Sequence, residues 1–217
     1  MAGSLPTSPI FDDAFRAQLH QLFVWRRDVR HFRSEPLPDG TLESLIEEAC
    51  LGPSVGLSQP WRFVIVDEPA RRMAVIASYR RANSEALQAC DAERRTLYAR
   101  LKLAGLEEAP SHLAVFVDEG TAVGHGLGLR TMPEMLRYSA VTAVGHMWLA
   151  ARARGIGMGW ISIIEPAAVA QALQVSPEWT LIGYFCLGFP SELCTEPELA
   201  REGWERRLSA DAVIVRR

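Results

Sequence analysis

The sequence predicts a layered domain of strands and helices, α/β or α+β, with helices in the majority. Three observations carry that expectation. Short apolar runs of strand character alternate with longer helical stretches along the chain. Apolar residues make up 48% of the 217 positions, enough for one core and therefore one domain, residues 1–217. No segment recurs at a fixed period, which argues against a solenoid.

Residues 11–25 set Phe11, Phe15, Leu19, Leu22 and Phe23 on one helical stripe. The stretch before it, residues 1–10, reads as a flexible N-terminus. A second helix lies in "LPDGTLESLIEEACLG", with Asp39 or Thr41 as cap, Leu42, Leu45, Ile46 and Ala49 as its buried face, and Gly52-Pro53 as its stop. A polar loop, "GPSVGLSQPW", leads into a buried strand, "RFVIVD". Residues 69–109 are expected to form two helices broken near Cys90-Asp91. "HLAVFVD" is the second strand, and the four glycines of "EGTAVGHGLGLRTMPEM" rule out a regular element.

Residues 134–153 are apolar nearly all round, so this helix is expected to be central and buried. "GMGWISII" is a glycine-led strand, "EPAAVAQALQV" a short helix, and "WTLIGYFCLGF" a further strand. The tail holds a short helix and a final β-like "AVIV". That last run has no partner nearby in sequence and must pair elsewhere, with another subunit as one option.

Composition excludes several function classes. The net charge is −3 with the two signs interspersed, so a duplex-binding surface is not expected and no nucleic-acid partner is predicted. No apolar run is long enough to span a membrane, and the N-terminus lacks the basic start and apolar stretch of a signal peptide. Cys50, Cys90, Cys186 and Cys194 form no C-x-x-C pair and read as reduced core thiols of a cytoplasmic protein. The five histidines show no ligand spacing, so no metal site is expected. There is no G-x-S-x-G elbow for a serine hydrolase. "GIGMG" resembles a dinucleotide loop only superficially. A helix precedes it and a strand follows, the reverse of the Rossmann order, so it reads as a helix cap followed by a close backbone approach.

One cluster resists a bland account. "VWRRDVRHF", Val24 to Phe32, gathers Arg26, Arg27 and Arg30 around Asp28 in a chain of net negative charge. The cations suit the negative end of the preceding helix, and a solvated surface cluster is one reading. An anionic ligand is the other, because guanidinium forks grip phosphate in a bidentate manner. Arg206 and Arg207 form a second basic pair that could converge on the first.

These residues also carry a resemblance. "RRDVRHF", "GPSVGLSQPWRFVIV", "GIGMGWISIIEP" and "LGFPSE…ERRL" resemble, in order, four segments of the flavin-binding nitroreductase superfamily. Asp28 stands where that superfamily usually has serine. With Ser162, "RANSEA", "LKLAGLEEAP" and "EPELAREGWERRL", it makes the chain similar to the 5,6-dimethylbenzimidazole synthase branch. The resemblance covers the chain from about Leu22 onward.

The resemblance implies an α+β nitroreductase-like fold: a central mixed β-sheet flanked by helices, with a C-terminal extension pairing with the other subunit of a homodimer. It implies reduced FMN as a substrate, supplied by a separate flavin reductase, and O2 as co-substrate. FMN would lie at the subunit interface and be cleaved to 5,6-dimethylbenzimidazole and erythrose 4-phosphate. Asp28 and Ser162 would be the catalytic pair, Asp28 as acid or base beside the ribityl chain and Ser162 at the ring. Arg26, Arg27, Arg30, Ser54, Gly157, Met158 and Arg207 would contact the flavin, with Arg207 on the phosphate. Leu101, with Lys102, would belong to a lid that excludes water. An FMN-dependent NAD(P)H oxidoreductase and a non-catalytic flavin-sequestering module are the competing readings.

Overall fold

The computed structural model describes residues 8–217, so the first seven positions of the expected flexible terminus lie outside the described residues. Among the described residues, seven α-helices surround a four-stranded sheet. The chain runs α1 (Asp13–Trp25), α2 (Thr41–Ala49), β1 (Trp61–Ile65), α3 (Pro69–Ala89), α4 (Ala92–Arg100) and β2 (Ser111–Asp118). It continues through α5 (Met135–Ala153), β3 (Gly157–Ile161), α6 (Pro166–Leu173), β4 (Trp179–Gly188) and α7 (Glu198–Arg201). The strand order is β1-β2-β4-β3.

All three strand pairings are antiparallel, which narrows the mixed sheet expected from the sequence. Among the described residues, its parallel element is a single bridge between Asp28 and Met158, outside the named strands. β2 and β4 are central and covered on both faces. Leu113, Val115, Val117, Phe185 and Leu187 face a core shared with α2 and α5. Ala114, Phe116, Tyr184 and Cys186 face a second core. Two-sided burial is why these strands read as unbroken apolar runs rather than as alternating ones.

Four expectations are corrected. Neither Asp39 nor Thr41 caps α2. Gly40 does so in a left-handed conformation, with no side-chain bond. Residues 101–109 are not helical, because this stretch lies flat on the arginine segment: a Cβ on Gly105 would sit 2.4 Å from the Phe32 ring. α5 is buried on one face only, with Tyr138 and Val141 exposed on the other. "AVIV" forms no strand. A 3-10 turn covers Ala210–Ala212, and Val213, Ile214 and Val215 are exposed.

The cysteines are all free, but only Cys186 is a buried core thiol. No helix among the described residues is long and apolar enough to cross a membrane, and the described residues hold no cluster of metal-ligating side chains.

One buried polar pair makes a testable contribution to stability. The His112 Nδ1 lies 2.9 Å from the Tyr184 hydroxyl, and both side chains are fully enclosed. Burial, reinforced by the Arg72 charge, pushes the His112 pKa down from 6.5 to about 4. The folded state therefore binds fewer protons than the unfolded one. The stabilisation is complete above the unfolded value and is lost as pH falls toward the folded one. Between about pH 7 and pH 5 this residue alone should remove roughly 2 kcal/mol of stability. Urea unfolding at both pH values should show that loss in the parent and a smaller one in His112→Gln. Equal losses would exclude His112 as the source.

Candidate active site

α1 ends at Trp25, and Arg26 turns the chain extended (φ −69°, ψ 119°). Residues 26–33 then run along the edge of β3 and on past the end of β4. Val29 N–H donates to the Met158 carbonyl (3.1 Å), and Arg33 N–H donates to the Phe189 carbonyl (2.8 Å). The β3 glycines make this approach possible. A Cβ on Gly159 would lie 2.2 Å from the Val29 carbonyl oxygen, and one on Gly157 would lie 2.9 Å from the Val29 side chain. The close approach expected from "GIGMG" is therefore an approach to the arginine segment itself, while Gly155, with φ +75°, takes the left-handed turn after α5.

Asp28 is the polar centre of this junction. Its Oδ1 accepts a hydrogen bond from the Trp160 backbone N–H (2.8 Å), and its Oδ2 accepts one from the Arg30 Nε (3.1 Å). Its side chain keeps 33% of its surface, so one side of the carboxylate faces open space. Burial raises its pKa, against the opposing pull of the Trp160 bond, Arg30 and Arg26. Desolvation outweighs the cations here, which poises the carboxyl to hold a proton more readily than a surface aspartate.

The three arginines do different things. Arg30 is 11% exposed and committed: while Nε holds Asp28, Nη1 donates to the Lys102 carbonyl (3.0 Å). That bond ties Leu101-Lys102, just after α4, to the cluster. Arg26 lies 4.9 Å over the Trp148 ring, and the Trp148 indole N–H donates to the Arg27 carbonyl (3.2 Å). Arg27 donates to the Val24 carbonyl, yet its Nε is buried without a partner. Neither Arg26 nor Arg27 is in an ion pair among the described residues. Burial lowers both pKa values. Arg207 lowers both further, and Arg26 lowers that of Arg27.

Arg26, Arg27, Asp28, Arg30, Glu198 and Arg207 line a cavity of about 180 Å³. The C-terminal segment closes one side of it. His31 Nε2 lies 3.2 Å from Glu198 Oε1, and Ser191 N–H donates to the His31 carbonyl (3.0 Å). The fold thus gathers Asp28, the three arginines and Arg207 around this cavity, seats Gly157 and Met158 against the arginine segment beside it, and leaves Leu101 next to the Lys102 carbonyl that Arg30 holds. It does not bring Ser54 or Ser162 to that cavity. Ser54 precedes a 3-10 turn (Val55–Leu57), accepts from Gln59 N–H (3.1 Å), and sits in a loop whose Val55 N–H is held by Ser139 of α5. Ser162 is exposed, one residue past the end of β3. Sequence reasoning missed Trp148, Trp160 and Glu198. For Glu198 a signal was present in "EPELAREGWERRL"; for Trp160 there was none, since its backbone is what binds Asp28.

Residues 23–189 match the Nitroreductase family. That range takes in the arginine segment, the Ser54 loop and β3. The chain belongs to the nitroreductase family. Within it, the chain is 54% identical to a 5,6-dimethylbenzimidazole synthase of Rhodospirillum rubrum over 93% of this chain and 95% of that protein. It is 39% identical to one of Rhodobacter capsulatus, over 93% and 97%. Solved structures share the fold of this nitroreductase-family member. Iodotyrosine deiodinase bound to FMN and 3-iodo-L-tyrosine superimposes with a TM-score of 0.72 at 24% identity, covering 91% of this chain and 97% of that one. A Desulfovibrio desulfuricans protein in complex with FMN gives 0.66 at 20%, covering 92% and 96%.

Proposed function

We propose that the chain is a 5,6-dimethylbenzimidazole synthase that consumes reduced FMN and O2 in the cytoplasm. The observation that carries this reading is the near end-to-end identity to proteins of that name, together with an aspartate at the centre of the arginine segment. Reduced FMN supplies the electrons for O2 and is itself cleaved to 5,6-dimethylbenzimidazole and erythrose 4-phosphate.

The residues present fit such a nucleotide. A cavity lined by Arg26, Arg27 and Arg207, with one buried guanidinium nitrogen unpartnered, calls for a multiply charged anion. A phosphate monoester supplies that charge and the acceptor oxygens. Asp28, with its raised pKa and one open side, would hold or move a proton at the sugar chain. Lys102, held by Arg30, would anchor a lid that keeps water out. Ser54 and Ser162 would join the site as ring contacts, Ser54 from the neighbouring copy of a homodimer. Exposed Phe15, Phe23, Tyr138, Val141 and Ile214 offer an apolar surface for that contact.

Incubation with chemically reduced FMN in air, followed by chromatography, should yield 5,6-dimethylbenzimidazole with matching loss of FMN. Recovery of intact FMN there, together with steady NAD(P)H oxidation in a parallel incubation supplied with FMN and NAD(P)H, would instead establish an ordinary flavin oxidoreductase.

A further inference from the structure

Arg207 poses an electrostatic problem. It lines the same cavity as Arg26 and Arg27 and lowers the pKa of both, so the three cations repel one another. No carboxylate is in an ion pair with Arg207 among the described residues. From Arg206 onward, no described hydrogen bond ties the chain to another element: the bonds present, such as Arg206 N–H to Glu205 Oε1 (2.8 Å) and Val213 N–H to the Ala210 carbonyl (3.1 Å), stay within the segment. Charge therefore does not hold Arg207 where it is.

The anchor lies three residues upstream. Every residue from 201 to 217 is exposed except Trp204. Gly203, with φ +78°, reverses the chain after α7, and Trp204 N–H donates to the Leu199 carbonyl (2.8 Å). The indole meets Tyr98 of α4 edge-on, with centroids 6.1 Å apart at 65°. The Arg94 guanidinium, one turn earlier on the same helix, lies 5.5 Å from the indole ring. Tyr98 is itself fixed, since its hydroxyl donates to Asn83 Oδ1 of α3 (2.9 Å).

We infer that Trp204 is a positioning residue, whose docking between Tyr98 and Arg94 holds Arg207 ready for the phosphate of the incoming nucleotide. Holding a cation in place before the anion arrives removes most of the ordering cost of binding. Because α4 also leads into Leu101-Lys102, the helix that carries the lid is the one that sets the phosphate clamp. The inference rests on the reading that Arg207 meets a phosphate.

The test compares FMN with riboflavin, which has the same ring and sugar chain but no phosphate, by flavin-fluorescence titration. Trp204→Ala should weaken FMN binding about tenfold, the scale of one charge-assisted contact, and leave riboflavin within about twofold. Arg207→Ala should show the same pattern, and the double variant should bind no more weakly than Arg207→Ala alone. Trp204→Phe, which keeps an aromatic face for Tyr98 and Arg94, should restore most of the FMN affinity. Unchanged FMN binding in Trp204→Ala, or equal losses for both flavins, would overturn the inference while leaving the phosphate reading intact. A parent protein that binds FMN and riboflavin equally would overturn the phosphate reading, and the role of Trp204 with it.

Discussion

Asp28→Asn should reduce 5,6-dimethylbenzimidazole formation by about 10²- to 10⁴-fold, the span of a lost general acid or base, while FMN affinity changes little. Asparagine has the shape of aspartate and can still accept the Trp160 N–H. It cannot exchange a proton, and its amide nitrogen would face the Arg30 Nε, donor against donor. The phosphate-facing cations are untouched, and removing a negative charge near Arg26 favours an anion if it does anything. Single-turnover product analysis and a fluorescence titration on the same sample separate the two effects. Turnover at the parent rate would remove Asp28 from the chemistry, and a parallel loss of binding would recast it as a ligand. The raised pKa adds an independent check. The stabilising contribution of Asp28 is present below its unfolded value and is lost as pH rises through the folded one, so ionised Asp28 costs stability at neutral pH. The stability of the parent relative to Asp28→Asn should therefore fall as pH rises across that window.

How much of this was legible in the residues depended on the range of the forces involved. β2 and β4 were readable because burial on both faces imposes an apolar run that local sequence must supply. The boundary between α3 and α4 fell where expected, at Cys90-Asp91. The arginine cluster declared itself by charge, and the convergence of Arg207 on it was anticipated from a second basic pair. What stayed illegible was long-range. Nothing local in "LKLAGLEEA" says that it must lie flat, because its constraint is the Phe32 ring. "AVIV" has strand composition but no partner strand within the chain, so it does not form one. The surroundings of Ser54 and Ser162 are likewise set by packing that no short motif encodes. Trp204 owes its place to Tyr98 of α4, more than a hundred residues away in sequence.

The glycines of β3 give the other large effect, and the two differ in a way that tests the geometry. Gly159→Ala should destabilise the fold by roughly 3 kcal/mol, the upper end for overpacking, and should also abolish flavin binding. The added methyl would stand 2.2 Å from the Val29 carbonyl oxygen. Backbone cannot rotate away as a side chain can, so either the arginine segment lifts off β3 or the strand bends. Both break the Val29–Met158 bond, and both pull the Asp28 carboxylate from the Trp160 N–H. Gly157→Ala meets only the side chain of Val29, its two methyls at 2.9 and 3.0 Å and its Cβ at 3.1 Å. Val29 can shift by a few tenths of an ångström, so this variant should lose about 1 kcal/mol and keep most of its flavin affinity. Urea denaturation and fluorescence titration of the pair give the comparison. The Gly157→Ala, Val29→Ala double variant should recover part of the loss, because it removes the two nearest obstructing methyls and leaves the Val29 Cβ at 3.1 Å. No side-chain change at position 29 can rescue Gly159→Ala, whose obstacle is a carbonyl. If the two single variants proved equally mild, the arginine segment would not be seated on β3 as described, and the pairing that orients Asp28 would go with it.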